Sequence, residues 1–198
     1  MEAIKVLTLV GGISQNSLNK KYFEAIRQLA LKNFHFVEFD ISKLPFFSQD
    51  LEMDPPDKVT EYKELIRSAG ALLIVTPEYN RSFPGVLKNA LDWGSRPYGQ
   101  NLWDKKPAAI LGASPGNIGT FGAQHHLRQV MSYLNMYVLG QPEIYFNASH
   151  AFNENGELND PKTKKLIHKF FDEFYQLIHL VSEAPADIQD PDEYMHTH

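Results

Sequence analysis

The sequence predicts an α/β domain built on a five-stranded parallel sheet with helices covering both faces. Three observations carry this. Strand-like and helix-like segments alternate along the chain, and Gly-, Ser- and Pro-rich stretches follow the first, third and fourth strands. The strand segments are mostly continuously apolar, as strands buried on both faces are.

Residues 4–10 are an apolar, β-branched run ending in Gly11-Gly12, and read as the first strand. Asn16 or Ser17 can cap a helix over 18–32, with Leu18, Tyr22, Ile26 and Leu29 on one face. Residues 34–39 alternate as a second strand. The stretch 41–57 carries Pro45, Pro55 and Pro56 and reads as a loop with room for a helical turn. A charged amphipathic helix covers 58–68, and 71–75 is a third strand ended by Thr76-Pro77. Pro84 suits the first turn of a helix over 85–93. After the irregular stretch 94–106 come a fourth strand at 108–111, a glycine-rich loop at 112–122 and a helix over 123–135. Residues 137–139 and 144–146, on either side of Gln141-Pro142, supply the fifth strand. Pro161 opens a last helix over 162–181, with Leu166, Phe170, Phe174, Leu177 and Ile178 as its apolar stripe. Residues 1–182 thus read as one domain and 183–198 as an acidic tail.

Five strands and five helices in this order suit the flavodoxin-like three-layer sandwich, with strand order 2-1-3-4-5. A dinucleotide fold would place G-x-G-x-x-G after the first strand, where the chain reads Gly11-Gly12-Ile13-Ser14-Gln15-Asn16. The G-x-x-x-x-G-K-[ST] of a P-loop does not follow that strand either.

Composition narrows the function. At 43% hydrophobic and 22% charged residues the chain reads as a soluble globular protein, with no stretch long and apolar enough to span a membrane. The first residues run straight into a strand without a secretion signal, so a cytoplasmic location is expected. There is no cysteine, which excludes disulfides, thiolate metal sites and thiol redox chemistry. Any redox role must use a bound cofactor. Five of the 24 acidic residues lie in the last sixteen positions, leaving 19 acids against 19 bases in residues 1–182. A neutral body argues against nucleic acid as the partner.

In such sheets ligands bind beyond the carboxyl ends of the strands, where connections diverge. The first loop, Gly11-Gly12-Ile13-Ser14-Gln15-Asn16-Ser17-Leu18-Asn19, enters a helix N-terminus with several short polar side chains, which suits a phosphate or a helix cap. The second, Thr76-Pro77-Glu78-Tyr79-Asn80-Arg81-Ser82-Phe83-Pro84-Gly85, is stiff, presents backbone amides and offers one aromatic ring. Those features suit the rim of a planar ligand. The third, Ser114-Pro115-Gly116-Asn117-Ile118-Gly119-Thr120-Phe121-Gly122, has three glycines and no charge, so its backbone can approach a ligand closely.

The segment from Pro77 through Tyr79, Asn80, Arg81, Ser82, Phe83, Pro84 and Gly85 to Asp92-Trp93, with Ser95-Arg96-Pro97 after it, resembles the signature of the NADPH-dependent FMN reductase family. That family includes quinone, azo-dye and chromate reductases. The resemblance runs from residue 4 to about residue 146, and His126-Leu127-Arg128-Gln129 also fits it. It implies bound FMN, with NADPH or NADH as electron donor and a quinone, flavin, azo compound or metal anion as acceptor. It further implies Gly12, Ser14, Ser17, Leu18 and Asn19 around the phosphate and ribityl chain. Pro77, Glu78, Tyr79, Asn80 and Ser82 would line the ring edge, and Ser114, Pro115, Gly116 and Gly119 its other side. A homodimer or homotetramer is implied too, with residues 94–106 and 123–135 as candidate contacts.

The chain departs from the family pattern in two loops: Gly12 and Ser14 stand where it has Ser and Arg, and its Ser-x-Gly-Gly in the third loop is here Ser114-Pro115-Gly116-Asn117. The missing arginine leaves Arg81 or a residue of a second copy to meet the phosphate, or leaves FMN less tightly held. The flavin supplies the chemistry, so no catalytic side chain is expected. No metal is expected either. His125 and His126 are helix neighbours pointing in different directions, which suits packing, capping or an interface. His196 and His198 lie in the tail with no third ligand nearby. Tyr98 and Trp103 could wall a pocket or an interface. A flavodoxin-type electron carrier, binding FMN without oxidising NAD(P)H, is the rival reading; the neutral body counts against its usual acidic face.

Overall fold

The computed structural model describes residues 3–183, so the expected acidic tail lies, apart from Glu183, outside the described residues. Strands β1 (Ile4–Val10), β2 (Phe34–Glu38), β3 (Ala71–Val75), β4 (Pro107–Leu111) and β6 (Tyr137–Val138) form one parallel sheet. Its order is β2-β1-β3-β4-β6, the flavodoxin-like arrangement. A second, two-stranded parallel sheet pairs β5 (Ala113–Ser114) with β7 (Phe146–Asn147).

That small sheet corrects the expected fifth strand. Residues 137–138 join the main sheet, whereas the apolar segment beyond Gln141-Pro142 leaves it and docks on the chain that follows β4. Pro142 has no amide hydrogen to offer a ladder, so the strand cannot run through it.

Each face of the main sheet carries its own helices. Leu7, Leu9, Leu72, Ile74, Ala108 and Ile110 pack against α2 (Asp57–Ser68), α3 (Gly85–Gly94) and α4 (Phe121–Tyr133). Val6, Val10, Leu73, Val75, Ala109 and Leu111 turn the other way, onto α1 (Leu18–Arg27) and α5 (Pro161–Ser182). The period of two along each buried strand divides its side chains between two cores. In α5 the buried stripe is Ile167, Phe170, Phe171, Phe174 and Ile178, while Leu166 is exposed. Phe170, Phe174 and Ile178 of the expected stripe are thus kept, with Ile167 and Phe171 buried in place of Leu166 and Leu177. The first helix ends at Arg27 rather than residue 32, because the chain must turn for Phe34 to pair beside Ile4.

Loop 41–57 is pinned at Pro45. Pro45 O accepts hydrogen bonds from Asn89 Nδ2 (2.9 Å) and Trp93 Nε1 (2.8 Å), and two short 3-10 turns, Ile41–Lys43 and Gln49–Leu51, interrupt it. Trp103 is wholly buried, with Nε1 donating to Leu91 O at 2.9 Å, so it builds the core rather than a pocket wall. Tyr98 remains 88% exposed. Trp103→Ala therefore lowers unfolding free energy by about 3–5 kcal/mol in urea titration, the range for emptying a large aromatic site.

Candidate functional site

Because β1, β3 and β4 are adjacent and parallel, the loops that follow them emerge side by side at one end of the sheet. In the first, Ser17 caps α1: its hydroxyl accepts from Lys20 N at 3.3 Å. A Cβ on Gly12 would stand 2.3 Å from that Ser17 oxygen, so the hydroxyl can sit there only because residue 12 is glycine. Asn19 is buried and spends its whole amide on Ala113. Its Oδ1 accepts the Ala113 N–H (2.8 Å) and its Nδ2 donates to Ala113 O (2.9 Å). The first helix is thereby tied to the strand that starts the third loop.

The second loop is a tight hairpin. Tyr79 and Ser82 exchange backbone hydrogen bonds of 2.8 and 3.0 Å around Asn80 (φ 51°) and Arg81 (φ 66°). Two consecutive left-handed residues mark a type I′ turn. Asparagine accepts that backbone readily and arginine does not. Glu78, with its side chain 11% exposed, accepts the Ala123 N–H of α4 on Oε2 at 3.0 Å and pairs with Arg81 at 3.5 Å. Ser82 Oγ lies 2.8 Å from His126 Nδ1.

The third loop is shaped from within and from behind. Ser114 Oγ accepts from Gly116 N (3.0 Å), and Ser149 Oγ donates to Pro115 O (2.7 Å). Gly119 takes a positive φ of 65° and lies flat on the Tyr145 backbone, where a Cβ would come within 2.6 Å of the carbonyl carbon.

A cavity of about 160 Å³ opens where the loops meet. It is lined by Gly12, Ser14, Ser17, Leu18 and Asn19, by Pro77, Glu78 and Tyr79, and by Ser114 and Pro115. That volume is below the ~300 Å³ at which pockets for whole ligands begin. It suits one end of a ligand, with the rest lying along the open rim where Tyr79 is 55% exposed. Four expected residues do not line it. Asn80 is at the hairpin tip, Ser82 turns to His126, and Gly116 and Gly119 shape the third loop.

Among the described residues, none lining this cavity is Lys or Arg. Lys20 pairs with Glu38 at 3.6 Å, Lys21 lies over the Phe152 ring, and Arg81 is 74% exposed against Glu78. Arg81 therefore does not stand in for the missing arginine in this geometry. What remains for an anion is the positive end of α1, its free amides, and the hydroxyls of Ser14 and Ser17. The set fits an FMN phosphate through neutral donors, and glycine at position 12 leaves room for the Ser17 hydroxyl among them.

Each histidine of the pair is engaged with a different neighbour, His126 with Ser82 and His125 with Tyr145. His125 Nε2 is 2.9 Å from Tyr145 OH, and that hydroxyl donates to Glu143 at 2.5 Å. Burial first, and then the Glu143 carboxylate, push the Tyr145 phenol up to about 12. Among the described residues no group of three or more His, Asp or Glu is placed to hold a metal. The sequence reading did not anticipate Ala113, the capping by Glu78 or the Ser82–His126 contact, because each depends on a partner about 45 or more positions away.

The NADPH-dependent FMN reductase family pattern matches residues 4–151. The chain is 46% identical over 173 residues to a 2-hydroxy-1,4-benzoquinone reductase of a Burkholderia species, covering 87% of this chain and 94% of that one. It is 41% identical over 181 residues to a quinone reductase of Pseudomonas putida, covering 90% and 97%. Among solved structures it matches FerB, an NAD(P)H:(acceptor) oxidoreductase flavoenzyme of Paracoccus denitrificans, with a TM-score of 0.86 and 38% identity over 90% of this chain and 98% of that one.

Asn19→Ala leaves the Ala113 N–H and C=O unpaired in a buried position, each at about 1–3 kcal/mol. The variant should unfold at lower urea and bind flavin more weakly; unchanged midpoint and affinity would remove Asn19 from this role.

Proposed function

Because the chain belongs to the NADPH-dependent FMN reductase family, we propose that the cleft between its three loops holds the FMN and that a small quinone takes the electrons. The protein is an FMN-dependent NAD(P)H oxidoreductase. When bound, FMN would supply the redox chemistry between NAD(P)H and the second substrate. The task of the chain is to seat the cofactor, orient its ring and leave one face open to donor and acceptor in turn.

The observation that carries the site is the convergence of all three loops on one cavity, with ten of the expected residues lining it. Ser14 and Ser17 hold the phosphate by their hydroxyls, beside Gly12 and the first amides of α1. Leu18 and Asn19 stand along the ribityl chain, Asn19 through the backbone it fixes. Pro77, Glu78, Tyr79 and Asn80 line the ring edge, and Ser82 fixes the hairpin from behind. Ser114, Pro115, Gly116 and Gly119 form the opposite wall. The quinone reading is supported by relatives that are 46% and 41% identical and are named for quinone reduction. No helix among the described residues is long and apolar enough to cross a membrane, and a cytoplasmic location would put the enzyme where NAD(P)H is available.

A second copy of the chain is the partner we assign to the groove between α3 and α4. This groove, about 670 Å³, is flanked by Tyr98 and Tyr133, each almost fully exposed, and reaches His126 beside the second loop. Light scattering is expected to give at least twice the chain mass, and a monomer would remove this assignment.

The redox reading is tested by anaerobic titration of the purified flavoprotein. NADPH or NADH should bleach the flavin band near ~450 nm in one two-electron step, and 1,4-benzoquinone should restore it. A flavin that both nicotinamides leave oxidised would overturn the reading in favour of an electron carrier.

A further inference from the structure

Resting on the assignment of the second loop to the flavin edge, we propose that Glu78 is a positioning residue. Its carboxylate caps α4 and, together with Ser82 on His126, clasps the edge-lining hairpin to that helix.

Helix α4 lacks a cap of its own. Thr120 makes no side-chain bond to the first amides, and no acidic residue stands in the first turn. Thr120 is buried and its Oγ1 is engaged by Gln124 Nε2 at 2.9 Å. An uncapped helix start leaves amides unpaired and a positive end uncompensated. Glu78 meets both needs from 45 residues away: Oε2 accepts the Ala123 N–H at 3.0 Å. Gly122 permits the approach, since even a Cβ there would lie 3.2 Å from the same oxygen. Arg81 stands 3.5 Å from Oε1 and balances the charge on the solvent side.

The second attachment is one turn further along α4, where His126 Nδ1 meets Ser82 Oγ at 2.8 Å. The hairpin between the attachments contains Asn80 and Arg81 in left-handed backbone, a conformation that the surroundings must hold in place. Fixing residues 78 and 82 to one rigid helix holds it at both ends. On the reading above the hairpin lies along the ring edge, so the clasp sets its direction, and with it the field the ring experiences.

The test compares Glu78→Gln, Glu78→Ala and Ser82→Ala with the natural protein, using the full chain with and without FMN. Glu78→Gln keeps an acceptor oxygen and should retain FMN affinity within about twofold. Glu78→Ala should weaken FMN binding about tenfold or more, as loss of a charged hydrogen bond does. The midpoint potential of the flavin that remains bound should shift, and Ser82→Ala should move both quantities the same way by less. Amide hydrogen exchange on the FMN-free chain reads the clasp by itself: Ala123 should lose protection in Glu78→Ala and keep it in Glu78→Gln. Natural protection and potential in Glu78→Ala, or equal loss in Gln and Ala, would overturn the proposal. If Glu78→Ala does not fold, an unchanged flavin potential in Ser82→Ala overturns it. Natural protein that binds no FMN while Ala123 responds as stated would sink the flavin assignment and leave the cap standing.

Discussion

The side-chain amide of Asn19 is the tie on which the arrangement depends. Parallel strands bring three loop starts to the same end of the sheet, but they do not fix how those loops stand to one another. Asn19, buried and bonded through both ends of its amide to Ala113, locks the start of α1 to the strand beneath the third loop. The Gly11 amide donates to Val75 O at 2.8 Å and the Thr76 amide to Leu111 O at 2.9 Å, which carries the main-chain ladder to the lip of the cleft. Capping by Glu78 then attaches the second loop to α4. Each loop is held by a bond to an element that another loop leads into or out of. A cleft assembled in this way is stiff without a large core of its own.

Its electrostatics follow from the same economy of parts. With no Lys or Arg among the residues lining the cavity, an anion there relies on helix amides and hydroxyls. The basic residues of the first turn of α1 are committed elsewhere, Lys20 to Glu38 and Lys21 to the face of Phe152. Glycine at position 12 lets Ser17 turn inward, so one hydroxyl both caps the helix and borders the cavity. A flavin phosphate held by such neutral donors is less sensitive to salt than one held by an exposed ion pair.

The sheet order was legible in the sequence because buried parallel strands announce themselves as short apolar runs, and residues 4–10 and 71–75 match their observed bounds. The last strand was not legible in the same way. Residues 137–139 and 144–146 look alike as apolar segments, and only their partners distinguish an edge of the main sheet from a separate small one. Ser14, Ser17, Pro77 and Tyr79 could be picked out because polar, glycine-bearing and proline-bearing loops after particular strands carry local signals. The roles of Glu78, Ser82 and His126 could not, since a carboxylate that caps a helix 45 residues away leaves no periodicity in the chain. Trp103 looked like a wall residue because its irregular surroundings hide that Leu91 O lies within reach of its indole.

The central claim, that the three loops form one cofactor site tied through Asn19, is addressed most directly by adding FMN to the flavin-free protein and following backbone amide resonances by NMR. The account predicts that the largest shifts fall together on Gly12 to Asn19, Glu78 to Ser82 and Ser114 to Gly119, and saturate at one common concentration. Shifts confined to one loop, or centred on the groove between α3 and α4 instead, would contradict it.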